Sequence, residues 1–191
     1  SKDNSPYIVA SNTIFTEGST LIIEPEVKVK FKQGAGITVQ GLAYLWGNTK
    51  QLPKSIVFES ESTQSPAKKF LTLDSSKTIE INGLHLKNSG VAIEIKSGAP
   101  RFNYLYSDNA KYSALTIYGQ ANVKIKNCQL NGSSTSAIVL SGRSRLALND
   151  CNFTNNQPFH IQNSSAFPVV AKDVIFDKST KMPVLGKLET N

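Results

Sequence analysis

Two acids, Asp74 and Glu94, two histidines, His85 and His160, and two cysteines, Cys128 and Cys151, are the first places to look for chemistry in this chain of 191 residues. Glycoside hydrolysis usually requires two carboxyl groups within about 5 to 10 Å of each other. Asp74 and Glu94, with Asp108 as a further acid, are the set that would serve if the chain were a lyase, hydrolase or epimerase. Lys96 stands two residues from Glu94, so a surface ion pair is the favoured role for that carboxylate. Zinc needs three or four ligands and calcium several oxygens, normally from more than one acid. His85 and His160 lack metal-ligand spacing, and no metal or cofactor is expected. The chain leans toward a non-catalytic role.

The basic side chains carry the partner signal. The formal charge is +7, spread over the whole length without a polybasic block, and few exposed aromatics are interleaved to stack bases, which argues against nucleic acid. Strand alternation projects Lys28, Lys30 and Lys32 outward near the start. It also projects Lys124, Lys126, Arg145 and Lys172 from one face over three successive repeats, a stripe suited to an anionic polymer.

Those placements presuppose repeated strands, and the cysteines reveal the repeat. NCQL at 127–130 and DCNF at 150–153 close two 22-residue stretches that align without a gap, starting at Ser113 and Ser136. The same step reaches KDVIF at 172–176, and earlier units close at NYLY (103–106), GLHL (83–86), SIVF (55–58) and KVKF (28–31). A fixed period of this size means stacked units. Each unit holds three short alternating segments, for instance Leu115-Thr116-Ile117, Val123-Lys124-Ile125 and Cys128-Gln129-Leu130. Strands this short pair with their equivalents in the next coil, about 4.8 Å away, as parallel sheets. The predicted fold is all-β: a right-handed parallel β-helix of about seven coils with three strands per coil.

The repeat predicts interior columns Phe31, Phe58, Leu86, Tyr106, Leu130, Phe153, Phe176 and Val29, Ile56, Leu84, Tyr104, Cys128, Cys151, Val174. Gly83, Asn103, Asn127, Asp150 and Asp173 precede the closing trios and suit a bend with φ > 0. The outward column of the first sheet reads Thr38, Thr72, Glu94, Thr116 and Val139, with His160 or Gln162 in the last coil, and His85 also points outward. In-register parallel neighbours hold their Cβ atoms about 5 Å apart, beyond the roughly 3.8 Å of a disulfide, so a buried free thiol pair is favoured. Cysteine usage alone does not fix the compartment.

The stretch GSTLIIEPEVKVKF, followed by GITVQGLAYLWGN and PKSIVF, resembles the opening coils of right-handed parallel β-helix modules in bacterial extracytoplasmic proteins, within the pectate-lyase-like superfamily. The resemblance spans about residues 7–180, and Glu26 stands where the family pattern has Gly. It implies a secreted, periplasmic or surface-attached module, with a polysaccharide or another surface protein as partner. One domain over residues 1–191 is expected, with 181–191 as cap or tail, and the start SKDNSPYIV reads as a processed or engineered boundary without a signal peptide. No run of 18 apolar residues suggests a transmembrane segment. The polar loops at 48–55 and 59–69 are further candidate binding positions. The sequons at Asn131, Asn152 and Asn163 are read as accidents of Asn- and Ser-rich turns. A third role, self-assembly through the ends of the stack, follows from the need of any solenoid for capped termini.

Overall fold

The computed structural model describes residues 2–47, 55–75, 77, 79–180 and 182–190. Every strand pairing is parallel and joins successive coils. One sheet stacks eight strands, from Thr13–Phe15 through Val91–Ser97 to Val184–Leu185. We call this the first face. The other sheet is folded lengthwise. Strands such as Asn122–Asn131 and Arg145–Thr154 run through both halves, whereas in the early coils the halves are separate strands, Thr20–Ile23 and Lys28–Phe31. The halves before and after the fold are the second and third faces, giving three per coil. The chain begins on the third face at Tyr7–Val9 and ends on the second at Leu188–Thr190, so it winds through eight turns, one more than the seven closing segments suggest.

The fold line is made by backbone conformation. Gly83, Tyr104, Asn127, Asp150 and Asp173 have φ of 62°, 57°, 54°, 54° and 52° and lie one above another. Four of the five are the residues expected at the bend. In the remaining coil the bend is at Tyr104 rather than Asn103, and everything after it shifts by one: Leu105 faces Leu84 and Cys128, and Ser107 faces Leu86 and Leu130. Tyr104 and Tyr106 are therefore not interior. The segment NYLYS alternates equally well in either phase, and the outward phase leaves the tyrosine hydroxyls near water. Glu26 keeps the left-handed conformation that glycine would supply, with φ 66°.

The first unit is also displaced, by two residues. Val29 pairs with Phe58, and Phe31 with Ser60, so Phe31 and Phe58 are diagonal neighbours with ring centroids 5.2 Å apart. Phe70 joins them at 4.7 Å from Phe31, and all three rings are fully buried. Elsewhere the columns are as read, including Leu84, Cys128, Cys151 and Val174.

The cysteines are not free thiols. Cys128 and Cys151 form a disulfide between adjacent coils, with Cα atoms 4.5 Å apart. The expectation of free thiols assumed flat strands. Here each cysteine directly follows a left-handed residue, Asn127 or Asp150, and the Cα separation falls inside the 4.4–6.8 Å disulfide range.

Candidate functional site

On the first face the outward column runs Ile14, Thr38, Thr72, Glu94, Thr116, Val139, Gln162 and Leu185. Gln162 takes the last expected place; His160 points inward and is fully buried. The carboxylate of Glu94 accepts a hydrogen bond from Lys69 Nζ at 2.6 Å and another from Thr72 at 3.4 Å. Burial opposes its charge, but the bond and charge of Lys69, with Lys96 beyond, outweigh burial and hold the carboxyl below the usual range. The ion pair expected for Glu94 is present, made mainly with Lys69. Asp74 accepts from Ser97 Oγ at 3.2 Å, opposite it in the ladder. Lys69 and Tyr118 both hydrogen-bond the one carboxylate of this threonine column and favour its charged form, and no second carboxyl group is bonded to it among the described residues.

On the third face, one outward column reads Lys30, Glu59, Lys87, Asp108, Asn131 and Thr154, and three contacts join its polar groups from coil to coil. Lys30 pairs with Glu59 at 3.6 Å, Asn131 donates to Asp108 at 3.3 Å, and Thr154 donates to Asn131 at 3.1 Å. Asp108 also holds His85 Nε2 at 2.7 Å, away from Asp74 and Glu94 on the first face. His85 does point outward but is covered to 9% exposure. Burial lowers its pKa, helped by the charge of Lys87 and opposed by Asp108. The unfolded chain then binds the proton more readily, so His85 removes stability as pH falls below about 6.5. A His85→Gln variant should lose part of the decline in urea midpoint between pH 7.5 and 5.5 that the parent shows; an unchanged decline contradicts this assignment.

His160 is structural. Asn156 Nδ2 donates to Leu130 O at 2.9 Å while its Oδ1 accepts from Ser133 N–H at 2.9 Å, which fixes the amide orientation. Nδ1 of His160, 3.2 Å from the same Nδ2, is then an acceptor, and the Nε2 hydrogen points to Asp177. Among the described residues no group of three His, Cys, Asp or Glu side chains is placed to hold a metal.

The second face differs from the other two. One outward column runs Ile22, Tyr44, Glu80, Arg101, Lys124, Ala147, Val170 and Glu189. The next runs Trp46, Asn82, Asn103, Lys126, Asn149 and Lys172. Arg101 and Lys124 are thus direct neighbours of like charge, and Lys126 follows two residues on. Like charges directly opposite in a sheet are destabilising, yet none of Arg101, Lys124, Lys126 and Lys172 is in an ion pair among the described residues. Glu80 faces Arg101 in the ladder but forms no ion pair with it among the described residues, and the acids on the bend are Asp150, engaged by the Asn149 amide, and Asp173. Between the columns lies a shallow groove of about 380 Å³, floored by Ile125 and Leu148 and edged by Arg101, Lys124, Lys126 and Asn149.

The register therefore brings Lys124, Lys126 and Lys172 onto one flat face. Arg145 projects from the same face in the adjoining column of Asn122, with its guanidinium 4.1 Å from the Phe167 ring. Arg101 was missed, although counting back 23 residues from Lys124 reaches it. Tyr44 and Trp46, ring centroids 5.6 Å apart and Trp46 half exposed, lie on the face two coils from Arg101. Of the two loops, residues 48–54 lie outside the described residues, and 59–69 contributes Thr63, Gln64 and Pro66 to a 250 Å³ pocket with Asn88 and Lys111.

Residues 67–180 match the family described as a right handed beta helix region. No curated protein and no solved structure matches the chain. No described helix is long and apolar enough to cross a membrane.

Proposed function

The chain belongs to the right handed beta helix region family, and from that scaffold and the cations stacked on its second face we propose a non-catalytic binding platform for an extended acidic polysaccharide. A single observation carries this reading. Lys69 pairs with Glu94 on the first face and Lys30 with Glu59 on the third, whereas Arg101, Lys124, Lys126 and Lys172 share the second face with no ion pair among the described residues, the first three of them along one groove. An anion relieves the repulsion of the column and gains from several cations held on a rigid sheet. Coils repeat about every 4.8 Å, close to the rise per residue of an extended glycan, so the chain axis supplies one coil per sugar. Asn82 and Asn103 offer amide N–H groups to hydroxyls, and Tyr44 and Trp46 offer apolar rings for a sugar.

We place the module in a secreted or surface-attached bacterial protein. The Cys128–Cys151 disulfide supports an oxidising, extracytoplasmic location. The test is calorimetric titration with an oligouronate and with a neutral glucan of equal length, at low and high salt. The acidic oligomer should bind at low salt and weaken as salt screens the exposed cations. Equal binding of the neutral glucan, or breakdown of the oligouronate during titration, counts against the reading.

A further inference from the structure

The cations of the second face are bracketed by acids. In successive coils its first outward column reads Glu80, Arg101, Lys124, Ala147, Val170 and Glu189, so one carboxylate stands a coil before Arg101 and another a coil after Val170. Over the four coils between them the second column reads Asn103, Lys126, Asn149 and Lys172, and neither column holds an acid there. Asp150 and Asp173 lie on the bend, beside the columns rather than in them. Glu80 and Glu189 are both exposed. Unlike Glu59 and Glu94, neither is in an ion pair among the described residues, so no cation of the described chain takes up either carboxylate. Beyond Glu80 the first column continues to Tyr44, with Trp46 alongside in the second, and these rings suit an uncharged unit.

A glycan extended along this face meets one coil per sugar, about every 4.8 Å. Four consecutive acidic sugars lie over the coils from Arg101 to Val170. A fifth falls over Glu80 or Glu189, where like charges oppose each other across an exposed surface. Repulsion of a wrong ligand sets specificity alongside attraction of the right one.

We propose that Glu80 and Glu189 set the length of the acidic run this face accepts: a block of four acidic sugars, one for each coil from Arg101 to Val170, with uncharged sugars on either side. This rests on the reading of the second face as a site for an acidic glycan, and it adds the class of glycan, one whose acidic stretches are interrupted by neutral sugars rather than a continuous polyanion.

Calorimetric titration at low salt with oligouronates of four and six units tests it. A hexamer can place a four-unit block in three registers, so the parent should bind it no more than about threefold tighter than the tetramer. An exposed charge contact is worth up to roughly fivefold in affinity. In the double variant Glu80→Gln, Glu189→Gln, the ratio of hexamer to tetramer affinity should therefore rise about fivefold over the parent's. The control with the same charge change, Glu17→Gln with Glu61→Gln, alters exposed residues outside both columns and should leave the ratio unchanged. Glu80→Gln alone, read the same way, replaces the pair should the pair fail to fold by circular dichroism. A parent whose affinity climbs from tetramer to hexamer as steeply as the variant's, or a control that rises with it, would overturn the proposal while leaving the platform standing. If neither oligouronate binds the parent, the platform falls and the proposal with it.

Discussion

Reversing Lys124, Lys126 and Lys172 together to glutamate is expected to abolish binding of an acidic oligosaccharide while leaving the fold intact. All three side chains are exposed, and no described ion pair or hydrogen bond is lost with them. An exposed ion pair contributes up to about 1 kcal/mol. Reversal replaces each attraction by a repulsion of similar size, so three sites together cost about 3 kcal/mol or more, roughly a hundredfold in affinity or beyond. The control is the same charge change elsewhere, at Lys28, Lys32 and Lys111, also exposed. If net charge alone drove association, both triples would lose binding equally. The second face predicts a large loss only in the first, read by the calorimetric titration at low salt.

The largest stability effect is expected at Phe58→Ala. The ring is fully buried between coils, 5.2 Å from Phe31 and edge-on to Phe70 at 6.4 Å. Truncating a buried phenylalanine costs about 3 to 5 kcal/mol, including the cavity left behind. In a solenoid each coil contacts only its neighbours, so the damage is directional. Phe58 joins the early coils, through Val29, to Leu86 and the body beyond. The variant should therefore lose hydrogen-exchange protection first in strands such as Leu42–Trp46 and Lys28–Phe31, with Arg145–Thr154 still protected behind the disulfide. Uniform loss along the chain would contradict coil-by-coil transmission. Removing the hydroxyl of Ser107, which has no partner in the same interior column, offers the opposite sign: Ser107→Ala should be neutral or stabilising.

Much of this organisation was legible in the residues because a parallel solenoid converts sequence spacing into spatial contact. Between Ser113 and Thr154 the period is regular, and counting predicts the pairing of Leu115 with Ile138 and of Cys128 with Cys151. Where the period breaks, counting fails by small steps. Tyr104 occupies the bend because both phases of NYLYS bury an apolar residue, and only the stacked backbone decides between them. The first unit slips by two because Phe31 fills space beside Phe70, a contact between different faces that no one-dimensional pattern contains. The disulfide escaped for a related reason. Flat-sheet geometry forbids it, and the left-handed residues that relax the geometry were themselves predicted, but as bends rather than as a means of drawing cysteines together.

The candidate face was half legible. Lys124, Lys126, Arg145 and Lys172 follow from alternation as outward residues, whereas the column each occupies, with Arg145 beside Asn122, comes only from the register. What distinguishes the second face is the stacking of Arg101, Lys124, Lys126 and Lys172 outside any ion pair among the described residues, while Lys30 and Lys69 find Glu59 and Glu94 on the other two faces. Pairing across coils of unequal length could not be counted in advance.

The most direct measurement is a backbone amide NMR titration of the isotopically labelled protein with an acidic hexasaccharide. Binding along the second face predicts shifts concentrated at Arg101–Asn103, Lys124–Lys126, Ala147–Asn149 and Val170–Lys172, with a weaker response at Tyr44 and Trp46. Shifts centred instead on Thr72, Glu94 and Thr116, or saturable binding that leaves the second face unmoved, would contradict the assignment of this face as the binding surface.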